Sequence, residues 1–141
     1  HDLLIRTFPK RDRDMKWSFA LVSCLLVLTG CKPGADKAIE LAKNEIASNM
    51  KDPDSAKFRY MRFIEAGNNN DTIGGFVCGN VNAKNSYGAY AGFSPFYVAI
   101  RMKSKGIFSK GVNYTIDDKK IYSEPNQQEM KSYINVCGED S

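Results

Sequence analysis

The chain has 141 residues, 43% of them hydrophobic and 26% charged, with a formal net charge of +4. Residues 31–141 hold 15 of the 20 basic and 13 of the 16 acidic residues, and so small a surplus, without a long basic run, argues against a nucleic-acid partner. The single histidine is His1, so the rest of the chain lacks the commonest general base, Ser–His nucleophiles and most catalytic zinc sites.

Residues 1–14 mix Arg6, Lys10, Arg11 and Arg13 with Asp2, Asp12 and Asp14. They do not fit a signal pattern and are expected to be an extension upstream of a start at Met15, with a long charged leader to the signal as the alternative. From there the pattern is that of a secretory signal over residues 15–30: Lys16, a run of about a dozen mostly apolar residues from Trp17 to Leu28, and small residues before a cysteine. The run falls well short of the roughly twenty residues that span a bilayer as a helix. Leu28-Thr29-Gly30-Cys31 resembles the lipobox of bacterial lipoproteins. The resemblance implies cleavage before Cys31, a diacylglyceryl thioether on its sulfur and an amide-linked chain on its amine. Membrane attachment through that N-terminal lipid would be effectively permanent, since each buried methylene adds about 0.8 kcal/mol. Lys32 follows, where enterobacterial lipoproteins retained in the inner membrane tend to carry aspartate, so the resemblance implies the outer membrane, facing the periplasm. An uncleaved anchor and ordinary signal cleavage are the competing readings.

Four cysteines remain to be placed. Cys24 falls in the signal and Cys31 takes the lipid, which leaves Cys78 and Cys137 in an oxidising compartment, where two thiols most simply pair. Neither sits in a C-x-x-C spacing or beside residues that lower a thiol pKa, so a structural disulfide is expected over a redox role.

Residues 31–34 form a tether and residues 35–141 a single domain. Ile39, Ala42, Ile46 and Met50 recur at three- and four-residue spacings, predicting a helix over 35–51 with Asp36 at its start. It should stop at Asp52, because a residue before proline is pushed out of the helical region. Asp52 to Phe58 reads as a turn. A strand over 58–66 follows, with imperfect alternation that predicts a bulge. Gly67 to Asp71 is a hairpin loop, and without a spaced acidic series it does not match a calcium loop. A second strand spans 72–83 with Cys78 in its middle, and the glycine- and asparagine-rich stretch 82–93 is expected to be a shaped loop. Phe96 to Met102 is the most clearly buried strand. Arg101, Lys103 and Lys105 read as its solvated hairpin end. Ile107-Phe108 and Val112 to Ile116 supply further strand pieces, Asp117 to Lys120 a turn, and Ile121-Tyr122 a last extended piece. Pro125 is expected to open a final helix with Met130, Tyr133, Ile134 and Cys137 on one face. The whole predicts an α+β fold: an antiparallel sheet of three to five strands flanked by an N-terminal and a C-terminal helix, with one disulfide.

Little in this chain marks catalysis. Asp117 or Asp118 with Glu124 are the available carboxylate pairs, and they stand among lysines in what reads as a polar stretch. There is no phosphate loop, and no metal or cofactor is expected. The best surface candidate is the run containing Asn82, Asn85, Tyr87, Tyr90 and Phe93. A tyrosine offers a large apolar face and a polar tip, suited to sugars or partner proteins. The competing reading is that these rings, with Phe96 and Tyr97, cover one side of the sheet.

Asp52 to Arg59 reads DPDSAKFR, and Val77 to Phe93 reads VCGNVNAKNSYGAYAGF. Together they resemble a family of small exported proteins of proteobacteria and their phages that carry a DPxSAKFR turn before a VCGxVNAKNxYGxYxGF stretch. The resemblance implies export and a common fold, and supplies no catalytic residue. The expectation is therefore a lipid-anchored envelope protein that binds without catalysis. Its partner would be an envelope protein, with an inhibitor or phage-exclusion role by analogy of size and location. A glycan- or peptidoglycan-binding module is the alternative, and a carboxylate-based hydrolase ranks last.

Overall fold

A computed structural model of the chain describes residues 34–69, 71–106 and 111–141. The expected extension, the expected signal, the expected lipidation site at Cys31 and the expected Ile107-Phe108 strand piece lie outside them. Among the described residues no helix is long and apolar enough to cross a membrane.

Helix α1 spans Ala35–Ser48, with Gly34 as its N-cap and Asp36 in its first turn, where a carboxylate complements the exposed backbone N–H groups. Its buried stripe is Ala38, Ala42 and Ile46, rotated slightly from the expected one. Two alanines at four-residue spacing let the helix lie close to the sheet. The helix ends earlier than the proline predicts. Ser48 Oγ and Asn49 Nδ2 each donate to the Glu45 carbonyl at 2.7 Å, offering the last turn side-chain partners in place of further helix. A single 3-10 turn, Pro53–Ser55, then reverses the chain.

Four strands follow as a meander: β1 (Lys57–Asn68), β2 (Thr72–Asn82), β3 (Ser94–Ser104) and β4 (Val112–Ile121), all antiparallel and hydrogen-bonded in the order β1-β2-β3-β4. Helix α2, Gln127–Cys137, closes the fold. The expected α+β class, the flanking helices and the strand number all hold.

Strand alternation divides the core into two layers. Val77 and Val81 of β2 and Phe96, Val98, Ile100 and Met102 of β3 pack with the buried stripe of α1. The intervening residues Phe76, Cys78 and Tyr97 pack with Tyr122 and with Tyr133 and Cys137 of α2. The two helices therefore cover opposite faces of the sheet. Cys78 and Cys137 are joined in a disulfide with a Cα–Cα distance of 5.8 Å, which fastens the end of α2 to the middle of β2.

Three further expectations need correction. Asp117 to Lys120 is not a turn; these residues continue β4 through to Ile121. A register shift opposite Ala99 and Ile100 leaves Asp117 as the extra residue of a bulge. The four charges suit an edge strand because each finds a partner: Asp117 with Arg101 and Asp118 with the Tyr97 hydroxyl, Lys119 with Glu45 and Lys120 over the Tyr122 ring. Pro125 does not open α2 either. Asn126 is the N-cap, its Oδ1 accepting from Glu129 N–H at 2.8 Å, and the proline precedes it. The buried side of α2 is Tyr133 and Cys137 with Met130 and Val136 partly buried, while Ile134 is 40% exposed.

Candidate functional site

The β1–β2 pair contains the device that shapes the site. Arg59 pairs with Asn80 and Arg62 with Cys78, so Tyr60 and Met61 together oppose Gly79. In an unbroken strand, residues three apart point to opposite faces. The extra residue cancels that, and Arg59 and Arg62 share the α2 face of the sheet. Tyr60 adopts φ of 57°, a left-handed conformation that costs a non-glycine residue about 1–2 kcal/mol. Arg62 Nη1 donates to its carbonyl at 2.8 Å, holding the bulge in place.

Above this part of β1 stands the loop between β2 and β3. Its tip is a small hairpin, Lys84 bridged to Tyr90. Asn85 builds the turn: its N–H donates to the Ala89 carbonyl at 2.8 Å, and its Oδ1 accepts from the N–H groups of Tyr87 and Ala89 at 2.9 and 3.1 Å. This is the side-chain mimicry of a backbone turn at which asparagine excels. Asn82 Oδ1 accepts from Gly92 N–H at 3.1 Å, closing the base of the loop. Two further bonds staple the loop to the 3-10 turn. The Tyr90 hydroxyl donates to the Ser55 carbonyl at 3.0 Å, and Lys84 N–H donates to Ser55 Oγ at 2.8 Å.

The candidate residues thus fall into two groups. Asn82 and Asn85 shape the loop through their side-chain oxygens. Tyr87, Tyr90 and Phe93 display rings, and Tyr87 at the tip is 95% exposed. Phe96, by contrast, is a fully buried core residue, and Tyr97 packs in the α2 layer.

Sequence reasoning missed the cations beneath the rings. Lys57 Nζ lies 4.6 Å from the Tyr90 ring centroid and Lys84 Nζ 5.9 Å. The Arg59 guanidinium stacks on Phe93 at 3.9 Å and sits 5.2 Å from Tyr60. Among the described residues no ion pair involves Lys57, Arg59 or Lys84. The surface is therefore aromatic and positively charged, with its cations held against π faces and not neutralised by carboxylates. The signal available in the sequence was the two-residue spacing of Lys57 and Arg59 at the start of a strand.

The carboxylate pairs considered for hydrolysis are placed differently. Arg101 grips Asp117 with two bonds of 2.7 Å, and this hydrogen bonding holds the Asp117 carboxyl below its ordinary range. Asp118 accepts from the Tyr97 hydroxyl at 2.8 Å, and that bond, with burial, pushes the Tyr97 hydroxyl up to about 12. Among the described residues no cluster of three His, Cys, Asp or Glu side chains is arranged to hold a metal ion. In comparisons with known proteins, the chain matches no family model, no curated protein and no solved structure.

Proposed function

We propose that the chain is a lipid-anchored protein of the cell envelope whose domain is a non-catalytic binding module, with the β2–β3 hairpin as its contact surface. The observation that carries this reading is Tyr87: a large ring, almost wholly exposed, at the tip of a hairpin fixed by Asn85, Asn82 and Ser55. A ring carried on a hydrogen-bonded turn presents contact area without the entropy loss of freezing a mobile loop on binding. Against the neighbouring rings of Tyr90 and Phe93, Lys57, Lys84 and Arg59 favour a partner with acidic groups, an envelope protein in the first instance. The lipid at Cys31 and the outer-membrane location rest on the lipobox resemblance.

Two measurements test the reading. Intact mass of membrane-extracted protein is expected to match residues 31–141 plus three acyl chains; a mass retaining residues 15–30 without lipid would refute the anchor. For binding, Tyr87→Ala should leave the thermal midpoint within about 1–2 °C of wild type, as an exposed substitution does. The same change should lower retention of detergent-solubilised envelope proteins by at least about tenfold, the loss of one aromatic anchor. Retention on purified sacculi instead would favour the glycan reading, and unchanged retention would remove the hairpin from the contact.

A further inference from the structure

Just beyond α2, Asp140 is held in a clamp. Asp140 Oδ1 accepts from the Tyr133 hydroxyl at 2.6 Å and from Arg62 Nη1 at 3.1 Å, while Oδ2 accepts from Asn80 Nδ2 at 3.1 Å. A phenol from α2, a guanidinium from β1 and an amide from β2 converge on one carboxylate. Asn80 is only 4% exposed and Tyr133 only 1%, so two of the donors are fixed in the interior.

These donors are held by bonds that do not involve Asp140. Arg62 Nε and Nη2 donate to the Cys137 carbonyl at 3.1 and 3.0 Å, and Nη2 reaches the Gly138 carbonyl at 3.1 Å. Asn80 Oδ1 accepts from Arg59 Nε at 3.4 Å. The Cys78–Cys137 disulfide fixes the helix end beside them. The carboxylate, by contrast, arrives on the tail that follows α2, where, of Glu139, Asp140 and Ser141, Asp140 alone makes side-chain hydrogen bonds among the described residues. Arg62 and Asn80 are thus positioned through partners other than the carboxylate that they bind, the arrangement of a binding pocket occupied by a tethered ligand.

We propose that this is a carboxylate-binding pocket, which the chain fills with its own Asp140 and which an acidic group of a partner fills in its place. Displacement leaves buried donors that need an acceptor, and a carboxylate restores all three bonds. The pocket continues into the contact surface, because Arg59 both bonds Asn80 and stacks on Phe93. A partner seated on the Tyr87 hairpin could therefore reach it. The tail competes at an effective concentration on the order of millimolar, so only a carboxylate carried by a partner with further contacts displaces it. The proposal rests on the binding-module reading for the existence of that partner, but the pocket itself is tested separately with small probes.

The experiment uses the detergent-solubilised full-length chain and its Asp140→Ala variant. Sodium acetate should raise the thermal midpoint of Asp140→Ala, by about 5 °C at ten times its dissociation constant, and leave the wild type unmoved. Sodium chloride at equal ionic strength should do neither. Should the variant lose cooperative unfolding, recovery of its near-ultraviolet circular dichroism in acetate reads the same event. Two short peptides distinguish the source: one carries an aspartate with both ends blocked, the other a free C-terminal carboxylate alone. A shift with either supports the pocket and names the carboxylate it prefers. Equal shifts in acetate and chloride, or none with acetate and both peptides, would overturn it. An acetate shift without any envelope partner would leave the pocket standing and refute the binding-module reading alone.

Discussion

Tyr133 shows how much one side chain can coordinate. Its ring packs edge-on to Tyr122 at 5.7 Å, and its hydroxyl donates to Asp140 and approaches the Gly79 carbonyl. Burial, then the bond to Asp140, push this hydroxyl up to about 12, against the lowering pull of Arg62. Tyr97, tied to Asp118, is also pushed up to about 12. In both cases the folded protein holds a proton that the unfolded chain, titrating near 10, gives up. Their contribution to stability is thus intact below pH 10 and is lost as pH rises through 12. Denaturant midpoints should be flat with respect to these groups up to about pH 10 and fall above it. Tyr133→Phe should flatten that fall; an unchanged alkaline profile would show that the hydroxyl is not held as described. Asp140 works in the opposite direction. Burial raises its carboxyl, but the bonds from Tyr133, Asn80 and Arg62 outweigh it and lower it below the ordinary range, so its contribution is lost only in acid.

At the scale of elements, the meeting of β1 and β2 is the most demanding contact. A Cβ on Gly75 would run into the Ile64 carbonyl and come within 2.9 Å of the Phe63 ring. Gly74, its neighbour on the other face, would meet only the flexible stem of Arg101 at 3.3 Å and the Ile100 carbonyl at 3.7 Å. Gly75→Ala should therefore destabilise by about 2–3 kcal/mol, while Gly74→Ala should stay within about 0.5 kcal/mol of wild type; urea unfolding of the two variants decides. The disulfide acts on a longer loop, joining residues 59 apart. On the chain-entropy account, Cys78→Ser with Cys137→Ser should lose roughly 4 kcal/mol, read as a lower urea midpoint than that of the oxidised wild type.

The elements were unevenly legible in the sequence. The spacing of Ala42 and Ile46, the cysteine arithmetic and the apolar run at Phe96 each point to what the structure contains, because burial imposes its own period. Asp117 to Lys120 misleads because an edge strand can solvate both its faces and so carry a turn's composition. Tyr87 was legible as a loop aromatic. The grouping of Arg59 with Arg62 was not, since a bulge changes the parity of every later residue and only the pairing with β2 shows where it falls. Asp140 gave no signal at all: its partners are distant in the chain and meet only when α2 is docked.

For the whole molecule, the direction of α1 matters most. The helix begins at Ala35 and leads into the Pro53–Ser55 turn, the same turn that holds Lys84 and Tyr90. Fourteen residues at 1.5 Å each place about 21 Å between its ends. The start of α1 therefore lies at the far end of the helix from the turn that holds the Tyr87 hairpin. The helix is laid along the sheet through Ala38, Ala42 and Ile46, so this separation is fixed by the packed core, and the hairpin cannot fold back toward the start of α1.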